Sequence, residues 1–451
     1  MPVSETDLTK SGIGRLIEQL GPGRVELSRC KKSDYELQAE ATVYVETEDQ
    51  IRTVMRWAST EGVAVIPQGK GAWATYGNPV FRRSIIISLI RMNGIVEHSA
   101  GDLTVTVQPG TELASLQKHL KEKRQMLPLD PGWPEHATVG GIVATGFTGP
   151  KRLKYGLPRD WVIGMRMVLA DGRTIRTGGK VVKNVAGYDM NKLFVGSMGT
   201  LGIITECTFK LRPVPPAEAA LILEAPNTDV IRGFCYRVFN SSLEPTALEM
   251  VNTFAMKALL GSSDSGCGLV IGFEDEAKAV SAEQSLVAKW AKEEGLSICT
   301  ALEKDRAAQV WERLRRLTPN VLDMDDSRIE VSLKGVILPE QVAESIQVAG
   351  RLAEQQGIEA IVHGGIGTGI IRVIMYAPAE RLQAVCDSAS RIRSWVEERS
   401  GHLVVEHAPL SFKERISVWG RPPGGLNLMR QLKERLDPGD LLNPGRFVGG
   451  I

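Results

Sequence analysis

Apolar residues fall at helical spacing in Ile51, Val54, Met55 and Ala58, and Thr47 with Gln50 three positions on offers them an N-terminal capping pair. Gly62 closes that helix, and Val63-Ala64-Val65-Ile66 is an unbroken apolar run of the length of a buried strand. Ile85-Ile86-Ile87 predicts a second strand and Thr104–Val107 a third, closed by Pro109-Gly110. Thr111 is placed to cap an amphipathic helix carrying Leu113, Leu116 and Leu120. Residues 162–177 predict a hairpin around Asp171-Gly172, and a strand near 203–212 ends at Arg212-Pro213.

The texture changes after Arg212-Pro213-Val214-Pro215-Pro216, where three prolines in four positions oppose both helix and strand and predict a linker. Beyond it, strand-like runs at 219–223, 246–251, 268–273, 328–333, 358–362 and 370–375 alternate with helix-like runs near 228–240, 276–294, 304–317, 339–356 and 379–399. This alternation predicts a second domain of α+β type over 216–400. A final stretch, 401–451, returns to glycine and proline. The first domain then covers 1–215.

With 451 residues the chain exceeds what one hydrophobic core usually serves, which supports that division. A net charge of +1 and the lack of any Lys/Arg-rich run exclude nucleic acid as an expected partner. No stretch approaches the roughly 20 apolar residues of a membrane span, and the N-terminus lacks the apolar core of a signal peptide. The expected location is cytoplasmic, with membrane association open only through partners. Cys30, Cys207, Cys235, Cys267, Cys299 and Cys386 are scattered, without a C-x-x-C pair, so no iron–sulfur cluster or structural zinc is expected in this chain.

Three glycine-bearing segments carry the candidate chemistry. Pro67-Gln68-Gly69-Lys70-Gly71-Ala72, closing with Gly77, follows a buried strand, and such a turn aims consecutive backbone N–H groups into one anion-binding concavity. It is neither a Walker loop nor a G-x-G-x-x-G turn. The second segment is Asp130-Pro131-Gly132 with Ala137–Thr145, and the third runs from Lys183 to Gly202, through Gly196-Ser197-Met198-Gly199. Each taken singly also reads as a bulge or tight turn.

In this order and at these separations the three segments resemble the FAD-binding domain of the vanillyl-alcohol-oxidase (VAO/PCMH-type) flavoproteins. Within that group the likeness is to the FAD-binding subunits of glycolate oxidases and their D-lactate dehydrogenase relatives. It covers residues 40–215 strongly and 400–451 more loosely. Val143-Ala144-Thr145-Gly146-Phe147-Thr148-Gly149-Pro150, Tyr155–Asp160 and Lys183–Gly202 are its most specific parts. The resemblance implies a two-subdomain FAD-binding domain, an α+β ferredoxin-like cap, and a C-terminal tail returning to the first domain. It places Pro67, Gln68, Gly69, Lys70, Gly71 and Ala72 around the FAD pyrophosphate. Pro131, Thr138, Gly140, Gly141, Ala144 and Thr145 belong to the flavin and diphosphate channel, and Gly199, Gly202 and Ile204 to the adenine and ribose end. Asn443-Pro444-Gly445-Arg446 matches the family's C-terminal motif near the cofactor. Some members bind FAD covalently through a histidine near the pyrophosphate loop. None of the six histidines lies between 60 and 80, so a non-covalent FAD is expected, with His136 at a surface or beside it.

Oxidation of a 2-hydroxy acid needs a cation for the carboxylate, a base for the hydroxyl proton and a hydride acceptor. Metal-dependent relatives carry H-x-G-D-G-N-x-H, and here the matching stretch is His363-Gly364-Gly365-Ile366-Gly367-Thr368-Gly369-Ile370, followed downstream by Glu406-His407. Two readings stay open. His363, Glu406 and His407 form a reduced catalytic site, or they are relics whose glycines still shape a turn. Isoleucine at two ligand-equivalent positions argues against a metal, and none is expected. Arg372 and Arg446 are candidates to hold a carboxylate. Met198 stands where catalytic relatives often have Glu, which suits an accessory subunit. The resemblance therefore implies the FAD-binding subunit of a glycolate or D-lactate dehydrogenase complex, partnered by a homologous catalytic flavin subunit and an iron–sulfur subunit. The alternatives are a self-sufficient dehydrogenase with an altered active site, and a subunit that holds FAD without turnover.

Overall fold

The computed structural model describes residues 12–28, 33–35, 37–179, 188–261, 266–324 and 326–451. Strands β1 (Val25–Leu27), β2 (Ala41–Tyr44), β3 (Ala64–Gln68) and β4 (Ser84–Ser88) make a first sheet in the order β1-β2-β4-β3, with β2, β4 and β3 parallel. The helix Glu48–Glu61 crosses between β2 and β3. Thr47 caps it by accepting from Gln50 N at 3.3 Å, and Gly62 ends it in the left-handed conformation at φ 66°. Its buried stripe of Ile51, Val54, Met55 and Ala58 shares a core with β2–β4 and with Val168 and Ile203 of the second sheet.

That second sheet is antiparallel, in the order β5-β6-β10-β8-β9, from β5 (Ile95–Ser99), β6 (Thr104–Val107), β8 (Val162–Val168), β9 (Thr174–Gly178) and β10 (Ile203–Lys210). The hairpin expected around Asp171-Gly172 is the β8–β9 pair. The helix Leu113–Lys121 packs here, but its cap is Glu112 rather than Thr111. The Thr111 hydroxyl bonds to Gly94 O instead, and its carbonyl accepts from Val139 N. The expected linker is also partly structured: β11 (Arg212–Pro213) pairs with β7 (Gln125–Met126), because an edge position asks no N–H of proline.

The cap is one antiparallel sheet of eight strands in the order β15-β12-β14-β13-β17-β18-β16-β19. The strands are β12 (Ala217–Ala225), β13 (Ala247–Val251), β14 (Cys267–Asp275), β15 (Ser297–Glu303), β16 (Arg328–Val336), β17 (Ala360–Gly365), β18 (Ile370–Pro378) and β19 (His402–His407). Long helices cover one face, burying Leu221, Leu248, Ile271, Val331 and Val373. The other face is apolar near the helices Thr253–Leu260 and Asp305–Arg315 and polar where it meets residues 148–155 of the first domain. The sheet runs past residue 400, since β19 is its edge strand; the chain rejoins the first sheet only at Leu442, which bridges Val65. Lys433, buried, fixes that return by donating to Asp437, Thr200 O and Leu442 O. The fold is α+β throughout.

Candidate functional site: a main-chain cleft and a histidine at its end

The three glycine segments converge. β3 delivers the chain into a loop held by two turns, Ala74 N to Gly71 O at 2.8 Å and Tyr76 N to Trp73 O at 3.0 Å. Among the described residues no oxygen accepts from the amide N–H of Gly69, Lys70, Gly71, Ala72 or Trp73. Five successive unsatisfied amides form the kind of nest that meets an anion. Gly71, at φ 89°, is where the loop needs a residue without a side chain.

The second segment forms the helix Val139–Thr145, capped by Thr138, whose hydroxyl accepts from Gly141 N at 3.4 Å. Its first amides are occupied, Val139 N by Thr111 O and Gly140 N by Pro109 O, both at 2.8 Å. Among the described residues the unbonded main-chain donors are therefore those of the 69–73 loop and not the first amides of this helix. A Cβ on Gly140 would stand 2.6 Å from that of Pro109, which explains the glycine. The third segment lies along the helix through Gly196 N to Val143 O and Met198 N to Ala144 O. Lys183–Gly187 lie outside the described residues.

Between these segments runs a crevice with about 500 Å³ of open space at one end and about 420 Å³ at the other. Pro67, Gln68, Gly69, Thr138, Gly141 and Ala144 line both ends. Gly71, Ala72, Thr145 and Asn443 line the first end only, and Gly140, Gly199, Gly202 and Ile204 the second. Three of the expected residues do not reach it. Lys70 turns away to an ion pair with Glu112 at 2.5 Å and to Glu135 O. Gly77 packs on Arg446, and Pro131 is not on the wall. The wall adds Trp73, Met198, His136 and Arg446, which the glycine pattern does not mark. His136 stacks on Trp133 and bonds Asn320 through Nδ1 at 3.1 Å. Arg446 is tied to the loop: its guanidinium donates through Nε to Tyr76 O and through Nη2 to Trp73 O and Ala74 O.

A dinucleotide fits this wall on two counts besides the amides. Gln68 Oε1 and Asn443 Oδ1 are buried on it without a partner, so each asks for a donor from a ligand. Asn443 is also held at φ 46°, a strained conformation that its Nδ2 bond to Met198 O maintains. Gly199 sits at φ 69°, and an added Cβ would lie 3.1 Å from Asn443 Nδ2. Gly199→Ala should therefore cost about 1–2 kcal/mol of stability and weaken the cofactor through Asn443. Urea unfolding of the apoprotein and FAD titration check the two halves; unchanged FAD affinity counts against the placement of Asn443.

At the crevice's first end, Ala72 and Trp73 also line a chamber of about 430 Å³ with Trp133, Phe147, Asn320, Glu406 and His407. Two consecutive residues of β19 face one chamber because the strand bulges: Ser332 pairs with His407 and Leu333 with Val405, leaving Glu406 as the extra residue. Glu406 accepts from Arg372 Nε at 2.8 Å, with Lys334 at 3.6 Å. Burial pushes its carboxyl up, but Arg372 and Lys334 outweigh that and leave it below its ordinary value. His407 stacks on Tyr35 and meets Thr75 Oγ1 through Nδ1 at 2.6 Å, while Nε2 has no partner. Burial, with Lys413 nearby, lowers its pKa to about 3, so the ring is neutral at physiological pH. His363 is not in this chamber. It lies on β17, its Nδ1 3.0 Å from Glu249. The remnants of the H-x-G-D-G-N-x-H pattern do not fit a metal: Glu406 is bound to cations, His363 to Glu249, and Ile366 and Ile370 offer no donor. No group of three or more His, Cys, Asp or Glu side chains among the described residues is gathered as a metal requires.

A loop of unbonded main-chain amides, a crevice walled by three glycine segments and a cap sheet at its end, together with two family matches, mark an FAD-dependent oxidoreductase. Residues 39–178 match the FAD binding domain family, and residues 214–447 match the C-terminal domain of FAD linked oxidases. The chain belongs to the FAD-linked oxidase family and binds FAD.

Among its relatives, the glycolate oxidase subunit GlcD of Bacillus subtilis is 27% identical over 98% of this chain and 97% of its own length. A D-lactate dehydrogenase of Archaeoglobus fulgidus is 30% identical over 89% of each chain. A D-2-hydroxyglutarate dehydrogenase of Stutzerimonas stutzeri is 26% identical over 90% of each. The fold matches that of p-cresol methylhydroxylase with a TM-score of 0.77 at 16% identity, over 99% of this chain and 97% of the other. Among the described residues no helix is long and apolar enough to cross a membrane.

Proposed function

We propose that this chain oxidises a small 2-hydroxy acid, of the glycolate or D-lactate kind, at its own cofactor site, within a complex that removes the electrons. The observation that carries this reading is the bulge that brings Glu406 and His407 together at the end of the crevice, with His407 Nε2 unpartnered. The three relatives named above supply the substrate class. Bound FAD supplies the hydride acceptor. The chain's part is the proton: as the C–H bond gives up its hydride, the hydroxyl proton passes to His407 Nε2, and a 2-oxo acid results. For Nε2 to accept, Nδ1 carries its hydrogen toward Thr75 Oγ1, which fixes the tautomer. Arg372 and Lys334 hold Glu406 ionised beside it.

The cofactor site consists of Pro67, Gln68, Gly69, Gly71, Ala72, Thr138, Gly140, Gly141, Ala144, Thr145, Gly199, Gly202, Ile204 and Asn443, and it holds FAD without a covalent bond. His136 is the histidine on its wall, so acid precipitation that leaves flavin on the protein would move the attachment there. Anaerobic mixing of the FAD-loaded chain with glycolate or D-lactate should bleach the flavin absorbance. No bleaching by either, together with bleaching once a co-purified partner is added, would make this chain an accessory subunit. The GlcD subunit name favours an assembly. The iron–sulfur partner implied by the family resemblance is tested by iron and sulfide analysis of the complex drawn from the native host.

A further inference from the structure

The sheet face that carries Glu406 and His407 carries a contiguous row of polar neighbours. His363 on β17 stands opposite Arg372 on β18, Arg372 opposite Lys334 on β16, and Ser332, two residues back on β16, opposite His407. Opposed residues have Cβ atoms about 4.5–5.5 Å apart, and residues two apart share a face. These side chains therefore form one patch, and all but Lys334 are buried. The patch has unspent hydrogen-bonding capacity. Ser332 Oγ, His363 Nε2 and His407 Nε2 have no partner. Arg372 gives Nε to Glu406 and Nη2 to Glu406 and Thr148 O, while no described residue accepts from Nη1. Arg372 and Lys334 both pair with the carboxylate of Glu406, while Glu249 and Asp130 act on Arg372 from further off. Burying polar atoms without partners is costly unless a ligand pairs with them.

We propose that this patch anchors the carboxylate of the substrate on Arg372 and Lys334, so that the protein's own cations do the work a divalent metal does in metal-dependent relatives. The proposal rests on the 2-hydroxy acid reading above. It follows from which atoms are free. The carboxylate oxygens a metal would need are taken, those of Glu406 by Arg372 and Lys334 and that of Glu249 by His363, whereas the Nη1 edge of Arg372 meets no acceptor among the described residues. A guanidinium with one free edge, backed by an ammonium one strand away, matches the two oxygens of a carboxylate. His407 lies one strand pairing from Ser332 on the same patch, within reach of a hydroxyl on the adjacent carbon.

The test uses the FAD-loaded chain and oxalate, a small carboxylate that cannot be oxidised by hydride loss, followed by perturbation of the flavin spectrum. Oxalate should bind, and dialysis against EDTA should leave its Kd unchanged. Arg372→Met should weaken it by about tenfold or more, and Arg372→Lys should recover part of the loss. Because Arg372→Met leaves Glu406 buried without its partner, the double variant Arg372→Met with Glu406→Gln serves if the single one fails to fold; it too should lose oxalate, as should Lys334→Met. EDTA weakening oxalate about tenfold or more, with one equivalent of Zn²⁺ or Mn²⁺ restoring it, would overturn the proposal. So would wild-type oxalate affinity in the arginine and lysine variants. The two readings fail separately. If oxalate binds as expected but no 2-hydroxy acid bleaches the flavin, the anchor stands and the dehydrogenase falls. If a 2-hydroxy acid bleaches the flavin while the variants bind oxalate normally, the anchor falls and the dehydrogenase stands.

Discussion

His407→Gln should slow reduction of the bound flavin by substrate about 10²–10⁴-fold while FAD stays in place. Glutamine keeps a polar group toward Thr75 but cannot take a proton. The position lies off the crevice wall, so cofactor affinity should hardly change. Equal rates in the two proteins would remove His407 from the proton path. The same substitution has a second, independent signature. The imidazole is enclosed by Tyr35, Thr75 and Lys413, with Glu406 and its arginine beside it, and its folded pKa of about 3 lies below the ordinary 6.5. Above pH 6.5 the ring is neutral folded or unfolded and contributes no pH dependence. As pH falls below 6.5 the unfolded chain takes up a proton that the folded chain refuses, so stability is lost progressively down to about pH 3. At pH 5 the loss is about 2 kcal/mol. Urea unfolding at pH 7 and pH 5 should therefore show a larger acid loss in the natural protein than in His407→Gln.

Arg446→Met should destabilise the fold by roughly 3–5 kcal/mol and weaken FAD binding in the same variant. The guanidinium is buried and donates to three carbonyls of the nest loop, Trp73 O at 3.3 Å, Ala74 O at 2.6 Å and Tyr76 O at 3.1 Å. Its own carbonyl accepts from Asn78 N and Trp419 Nε1. One residue of the C-terminal segment thus ties the far end of the loop that lines the crevice. Methionine fills the volume but leaves Ala74 O and Tyr76 O without donors, and Trp73 O with Tyr76 N alone. Arg446→Lys should recover only part, because an ammonium lacks the planar spread of the guanidinium. Denaturant unfolding and FAD titration read the two effects. A loss of stability with unchanged FAD affinity would mean that the loop holds its shape without this tie.

The glycine segments are legible in the sequence because main chain that must approach a ligand or another main chain admits few other residues. Gly140 against Pro109 and Gly71 at positive φ are instances, and the resemblance to a flavoprotein family follows from such constraints. The helix after Thr47 is legible because its cap and its apolar stripe are local. The helix Val139–Thr145 is not, since two glycines depress its propensity and Pro109 and Thr111, distant in sequence, satisfy its first amides. Thr111 misleads for the same reason: its groups are spent on Gly94 and Val139 and not on the helix it precedes.

Side-chain direction is the other part that local pattern does not carry. Lys70 belongs to the nest by sequence and to Glu112 by structure. His363 and Glu406-His407 suggest a shared site, yet Glu249 draws the first away from the chamber that the other two line. That Glu406 and His407 face the same way depends on a register shift against β16, some seventy residues earlier in the chain. The roles of Arg372 and Lys334 depend on strand order across the cap sheet, which no window of sequence contains.

Everything in the cofactor assignment turns on the amides of Gly69 to Trp73, which find no acceptor among the described residues. Amide hydrogen exchange of the apoprotein and the FAD-loaded protein measures them directly. FAD should slow exchange at residues 69–73 by about tenfold or more, ahead of the already bonded amides of Val139 and Gly140. Exchange at 69–73 that FAD leaves unchanged would contradict the account.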